Sequence, residues 1–106
     1  MTRPLFVPLK TKYFLQFKRG TKLTELRRGS DPRWSAKHCV PGRAAVLSKG
    51  YGKVDRLTAI VARHSVHPVK SLPPKERQDF IDCFGEDEPT VAIIGFKNIG
   101  PMELTT

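Results

Sequence analysis

Long apolar runs are missing from this chain: no stretch approaches the ~20 residues that a bilayer-spanning helix needs, which excludes a helical membrane span. Met1-Thr2-Arg3-Pro4 leads into too short an apolar stretch for a secretory signal. Cysteine is scarce, with only Cys39 and Cys83, so no disulfide framework holds the fold. The expectation is a reduced, cytoplasmic protein with two free thiols, and a single Cys39–Cys83 bridge is the one disulfide the composition allows. Acidic residues are few as well. Ten Asp and Glu stand against nineteen Lys and Arg, for a formal net charge of +9. Small soluble domains usually carry a magnitude of ~2–8, so the excess points to a polyanionic partner, nucleic acid first. Internal repeats and low-complexity tracts are absent too.

What is present fits one domain over residues 1–106, with a core from about 3 to 99 and a loose tail from 100 to 106. Leu5-Phe6-Val7 between Pro4 and Pro8 reads as a short first strand. Lys10 to Arg19 reads as a helix, with Tyr13, Phe14 and Phe17 at helical spacings and basic residues in its last turn. Gly20 takes the left-handed stop position, and Thr21 to Arg28 is the next strand. By alternation Leu23, Glu25 and Arg27 share one face of that strand, while Thr24 and Leu26 share the other. A carboxylate and a guanidinium two apart on one face can orient each other. Lys22 joins them only if the chain rotates between Gly20 and Leu23.

Residues 29–38 form a turn-rich loop with the only tryptophan, Trp34, beside Arg27, Arg28, Arg33 and Lys37. Two readings stand: the indole stacks on a base while the cations hold phosphate, or it folds back to plug a barrel end. Ala44 to Ser48 is an apolar strand, and its exit Lys49-Gly50-Tyr51-Gly52-Lys53 is either a hairpin turn or a loop that brings backbone amides to a phosphate. No nucleotide-binding Gly-x-x-x-x-Gly-Lys-Ser/Thr pattern occurs. Arg56 to His67 is the longest strand candidate, apolar on both sides and expected to be covered on both. His38, Cys39, His64, His67 and Cys83 have neither the spacing nor the clustering of a zinc site, so neither metal nor cofactor is expected. Ser71 to Gly85 carries a second helix with Phe80, Ile81 and Phe84 as its docking stripe, and Lys75 as a surface lysine. Thr90 to Lys97 is the last strand.

Gly20-x-Lys22-x-x-Glu25-x-Arg27, preceded by a short aromatic helix, resembles the signature of ASCH domains, relatives of the PUA fold. The likeness covers roughly residues 3 to 99, because the order of strands, turns and helices is similar too. It implies an α+β domain, a small PUA-like β-barrel of five to six strands with two short helices. It also implies a cleft lined by the motif lysine, glutamate and arginine, with the segment after the motif beside it, which favours ligand contact for Trp34. The expected function is a nucleic-acid or nucleotide-binding module directed at RNA. Lys22 and Arg27 hold phosphate or base, Glu25 accepts from an exocyclic amine or orients Arg27, and the outer basic residues, Arg28, Arg33, Lys49 and Lys53 among them, add non-specific affinity; Trp34 contacts the ligand, and Tyr51 belongs with the loop that can approach a phosphate. DNA is a second nucleic-acid partner compatible with the same residues.

Two alternatives come with the resemblance. Some similar proteins are amidohydrolases that deacylate the exocyclic nitrogen of a modified cytidine, with a lysine, a threonine nucleophile and a glutamate; others are linked to RNA cleavage. Lys22 matches the lysine, but Glu25 stands at the threonine position, which departs from the deacylase pattern; for RNA cleavage Lys22 would stabilise developing negative charge while Glu25 or a histidine moves the proton, so the catalytic candidates are Lys22 and Glu25. Thr24 is one position off on the other face, and no distal glutamate stands before the second helix. The remaining alternative is a regulatory domain whose cleft takes a metabolite or a protein tail.

Overall fold

The computed structural model describes residues 3–102. They form β1 (Leu5–Leu9), α1 (Thr11–Lys18), β2 (Thr24–Arg28), β3 (Ala44–Lys49), β4 (Arg56–Pro68), α2 (Pro74–Phe84) and β5 (Thr90–Pro101), with 3-10 turns at Pro32–Trp34 and Val69–Ser71. One five-stranded sheet runs in the order β1-β3-β4-β5-β2. β1 and β3 pair in parallel and every other neighbouring pair is antiparallel. The sheet curls into a half-barrel, so the fold is α+β as expected. β5 continues through Gly100 and Pro101, into the stretch expected as tail, and residues 103–106 lie outside the described residues.

Alternation decides which residues fill the barrel. Leu5, Val7 and Leu9 of β1, Ala45 and Leu47 of β3, Leu57, Ala59 and Val61 of β4, and Ala92, Ile94 and Phe96 of β5 point inward and are buried with Phe14 and Phe17 of α1. Phe17 meets Phe96 edge to face, with ring centroids 5.9 Å apart. The odd residues of β5 point outward, where Val91 packs with Val69, Leu72 and Phe80, and Leu26, Phe84 and Ile93 extend the cluster. α2 therefore docks on the outer face through Phe80. Elsewhere that face is bare. Thr58 and Ala62 of β4 are exposed and Ile60 is half-buried, so β4 is not covered on both sides: α2 sits over the other end of the sheet.

Two register shifts in β4, at Thr58/Ile60 and Val61/Arg63, sharpen its twist. The second shift inverts the facing, so that His64 turns inward opposite Ile94 and lies 2.7 Å from the Trp34 carbonyl oxygen.

The edges of the half-barrel are β1 and β2. On β2 the backbones of Leu23 and Gly29 bond to β5, through Phe96 N–H to Leu23 O (2.9 Å) and Gly29 N–H to Thr90 O (2.9 Å). Antiparallel alternation then turns the backbone groups of Thr24 and Leu26 toward the free edge. On β1 the Leu9 carbonyl accepts from Gly50 N–H, so the alternate residues Phe6 and Pro8 face the other edge. Pro8 has no N–H to leave unpaired there, which is why an edge strand tolerates it.

Candidate functional site

The site begins with how α1 stops. Gly20 has φ +78°, Gly20 N–H donates to Phe17 O (3.1 Å) and Thr21 N–H to Gln16 O (3.0 Å). This left-handed stop with its paired bonds reverses the chain. Residues 21–23 are not strand, and β2 starts at Thr24, later than the sequence suggests. That irregular link turns Lys22 toward Glu25 and resolves the alternation problem.

Glu25 and Arg27 project to the inner face opposite Ile94 and Ala92. Each oxygen of the buried Glu25 carboxylate serves one cation: Oε2 lies 2.7 Å from Arg27 Nη2 and Oε1 3.6 Å from Lys22 Nζ. The Lys22 ammonium also sits 5.0 Å from the Tyr13 ring centroid and 5.5 Å from that of Phe17. Two aromatic faces and one carboxylate thus hold a cation whose side chain is only 19% exposed. Its seat is assembled by α1.

Arg27 does more than pair. Its Nη2 also donates to the Pro8 carbonyl at 2.6 Å, and its guanidinium lies 4.7 Å from the centroid of the Trp34 ring. Pro8 is on β1 and Arg27 on β2, so this side chain is a strut across the slit between the two edges. Arg27 Nε is buried without a partner, a cost offset by the two charge-assisted bonds of Nη2.

On one side of the strut the slit widens into a groove of about 820 Å³, lined by Lys22, Glu25 and Arg27 together with Tyr13 of α1 and Glu76 and Asp79 of α2. Burial, then the neighbouring Cys83 thiol and the Asp79 and Glu25 carboxylates, pushes the Tyr13 phenol up to about 12. At neutral pH it stays protonated and able to donate. Lys10 Nζ lies 3.8 Å from Cys83 Sγ on the same wall. Cys39 is buried elsewhere, and burial pushes its thiol up; both cysteines are free.

Of the residues singled out in the sequence, the groove gathers Lys22, Glu25, Arg27 and Tyr51. Tyr51 stands on the rim, 78% exposed. Trp34 is buried at 4% exposure in the main core, with the Arg27 guanidinium over its ring, so it plugs the barrel end rather than standing free on a loop. Arg28 points outward, 3.4 Å from Glu88 and over the Phe84 ring. Arg33 closes on Asp31 at 2.8 Å, and this hydrogen bond holds the Asp31 carboxyl below its ordinary value. Lys49 pairs with Asp55 at 3.5 Å, and Lys53 is exposed away from the groove. Lys75 is no distant surface lysine, because it lines the groove. Glu76, Asp79 and Cys83 were not anticipated as site residues; their spacing of three and then four puts them on one helical face, a signal that α2 has a polar face beside its apolar one.

Thr24 also lines the groove, although alternation puts its side chain opposite Glu25, because the groove runs along the free edge of β2 and touches both faces. No cluster of three or more His, Cys, Asp or Glu among the described residues is placed to hold a metal ion. No helix of the described residues is long and apolar enough to cross a membrane.

A mixed five-stranded half-barrel with α1 at its end and α2 on its outer face is an ASCH-like fold. Among solved structures the chain is similar to ASCH from Zymomonas mobilis, with TM-score 0.65 and 11% identity over 91% of this chain and 68% of that one. Two single-residue variants of that protein superpose with TM-scores of 0.63 and 0.62, at 12% and 13% identity, over 91% and 92% of this chain and 68% and 71% of theirs. At these identities the likeness is one of fold. The sequence matches no family model and no curated protein.

Proposed function

We propose that this chain binds single-stranded RNA, or a nucleotide of it, in the groove along β2. The observation that carries this reading is the convergence of Lys22, Glu25 and Arg27 on one groove in a chain of formal net charge +9. Lys22 supplies three N–H donors beside two ring faces, suited to a phosphate oxygen. Glu25, gripped by both cations, retains acceptor capacity for the exocyclic amine of a base. Arg27 is chiefly a positioning residue, since its Nη2 is taken up by Glu25 and Pro8. The outer cations add affinity that does not depend on sequence.

Fluorescence anisotropy with a labelled RNA tetranucleotide tests this. Lys22→Ala is expected to weaken binding about tenfold or more, the loss of a charge-assisted hydrogen bond of ~1.5–3 kcal/mol, while Lys97→Ala, on the exposed part of β5, stays within about twofold. Equal losses from the two variants would show diffuse attraction and discard the groove. Binding should also fall steeply between low and moderate salt.

A hydrolase acting in the same groove is the second reading, favoured by Thr24 and Glu76 lining it with Lys22. A hydroxyl, an ammonium and a carboxylate are the groups that attack at an acylated amine requires. Incubation with N4-acetylcytidine should then release cytidine and acetate, and Thr24→Val should stop it. Product no faster than in buffer, at high protein and long incubation, removes this reading.

A further inference from the structure

Beside the groove, and sharing Pro8 of the strut with it, lies a second pocket of about 320 Å³, at the low end of the ~300–1,000 Å³ range of small-ligand sites. Leu5, Phe6, Arg33, His38, Arg43 and the largely buried Trp34 contribute to its wall. Pro8 and Tyr51 line both this pocket and the groove, so the two are neighbours along one path. Phe6, like Pro8, is a residue of β1 that turns away from the barrel, and it is 37% exposed. Its ring centroid lies 6.0 Å from that of Tyr51, and the Arg56 guanidinium is 5.4 Å from the Phe6 ring.

Neither ring belongs to the core. Tyr51 is held in place by its loop: Ser48 Oγ and Arg56 Nε both donate to the Gly52 carbonyl, at 3.1 and 3.0 Å. Gly50, with φ +63° and its N–H bonded to Leu9 O, fixes the turn on the other side. Two exposed aromatic rings beside a guanidinium, on a strongly basic chain, are the composition of a base-stacking platform.

We infer that the pocket of Phe6 and Tyr51 is a second nucleobase subsite, so that the ligand of this chain is a single-stranded oligonucleotide of at least two residues rather than a mononucleotide. The inference rests on the groove reading and extends it. One nucleotide occupies the groove at Lys22 and Glu25, the backbone passes over the strut beside Tyr51, and the next base stacks on Tyr51 and Phe6. Arg33, already closed on Asp31, and Arg43, whose guanidinium donates to the Arg3 and His38 carbonyls, shape the far wall.

The test compares an adenosine tetranucleotide with adenosine monophosphate on the full chain, for the parent protein and for Tyr51→Ala, Tyr51→Phe, Phe6→Ala and Lys22→Ala. The ratio of the two affinities is the readout, because none of the Tyr51 and Phe6 variants changes charge. The parent should favour the tetranucleotide. Tyr51→Ala and Phe6→Ala should each cut that preference about tenfold; Phe6→Ala, whose side chain lines the second pocket and not the groove, should leave monophosphate affinity within twofold, and Tyr51→Phe should retain the preference. An unchanged ratio in both alanine variants, with Lys22→Ala still weakening both ligands, overturns the second subsite and leaves the groove reading intact. A lost preference with Lys22→Ala inert supports the subsite and overturns the groove. Tyr51 is exposed and its replacement does not touch the core, so a folding defect in Phe6→Ala does not disable the experiment.

Discussion

Arg27→Ala should lower the unfolding free energy by about 3–5 kcal/mol, the range found when one partner of a buried ion pair is removed. Urea denaturation measures it. Three contacts vanish together: the bond to Glu25 Oε2, the bond to Pro8 O across the slit, and the guanidinium face on Trp34. Glu25 is left with Lys22 at 3.6 Å as its remaining cation, a poorer partner for a side chain 9% exposed. Arg27→Lys should restore only part of the loss, since an ammonium has no flat guanidinium face to lay against the Trp34 ring. Adding Glu25→Gln to Arg27→Ala removes the orphaned charge and should return part of the stability; that non-additivity distinguishes an ion pair from simple packing. A loss below about 1 kcal/mol for Arg27→Ala, the value of an exposed pair, would mean that the strut holds nothing.

The second large effect is expected at Phe17. It is 1% exposed, meets Phe96 edge to face, and offers its ring to the Lys22 ammonium. Phe17→Ala should cost about 3–5 kcal/mol, because a cavity opens between α1 and β5 that a rigid sheet does not fill. Phe17→Leu keeps most of the volume and should cost under about 1.5 kcal/mol. It should nevertheless weaken RNA binding, since Lys22 loses one of its two ring faces. A Phe17→Leu protein that binds RNA as the parent does would show that the aromatic seat of Lys22 is irrelevant to its role.

Much of this was legible because it is local. The stop at Gly20 follows from one glycine after a basic helical turn, and the pairing of Glu25 with Arg27 follows from a period of two. Both survive folding because they need no distant partner. Where Lys22 points depended on three irregular residues whose torsions no periodicity describes. Trp34 was undecidable for another reason: the loop's composition suits contact or plugging equally, and what buries the indole is Arg27 together with the inner face of the barrel. β4 carried apolar residues on both sides, but whether its outer side is covered depends on where α2 lands, which is set by Val91, Ile93 and Leu26 on other strands. The groove's α2 wall was invisible for the same cause. A helix's polar face announces itself in sequence, while the surface it confronts does not.

The open seam also bears on how copies of this protein meet one another. A half-barrel has two unpaired strand borders, each able to recruit a neighbouring molecule into a continuous ladder. Here those borders confront each other across a gap that one guanidinium bridges, and the β1 border carries a proline with no hydrogen to offer. The same side chain that bounds the groove therefore guards against edge-to-edge polymerisation. Cutting it should release both borders at once, so protein lacking Arg27 would be expected to precipitate under conditions where the parent remains clear.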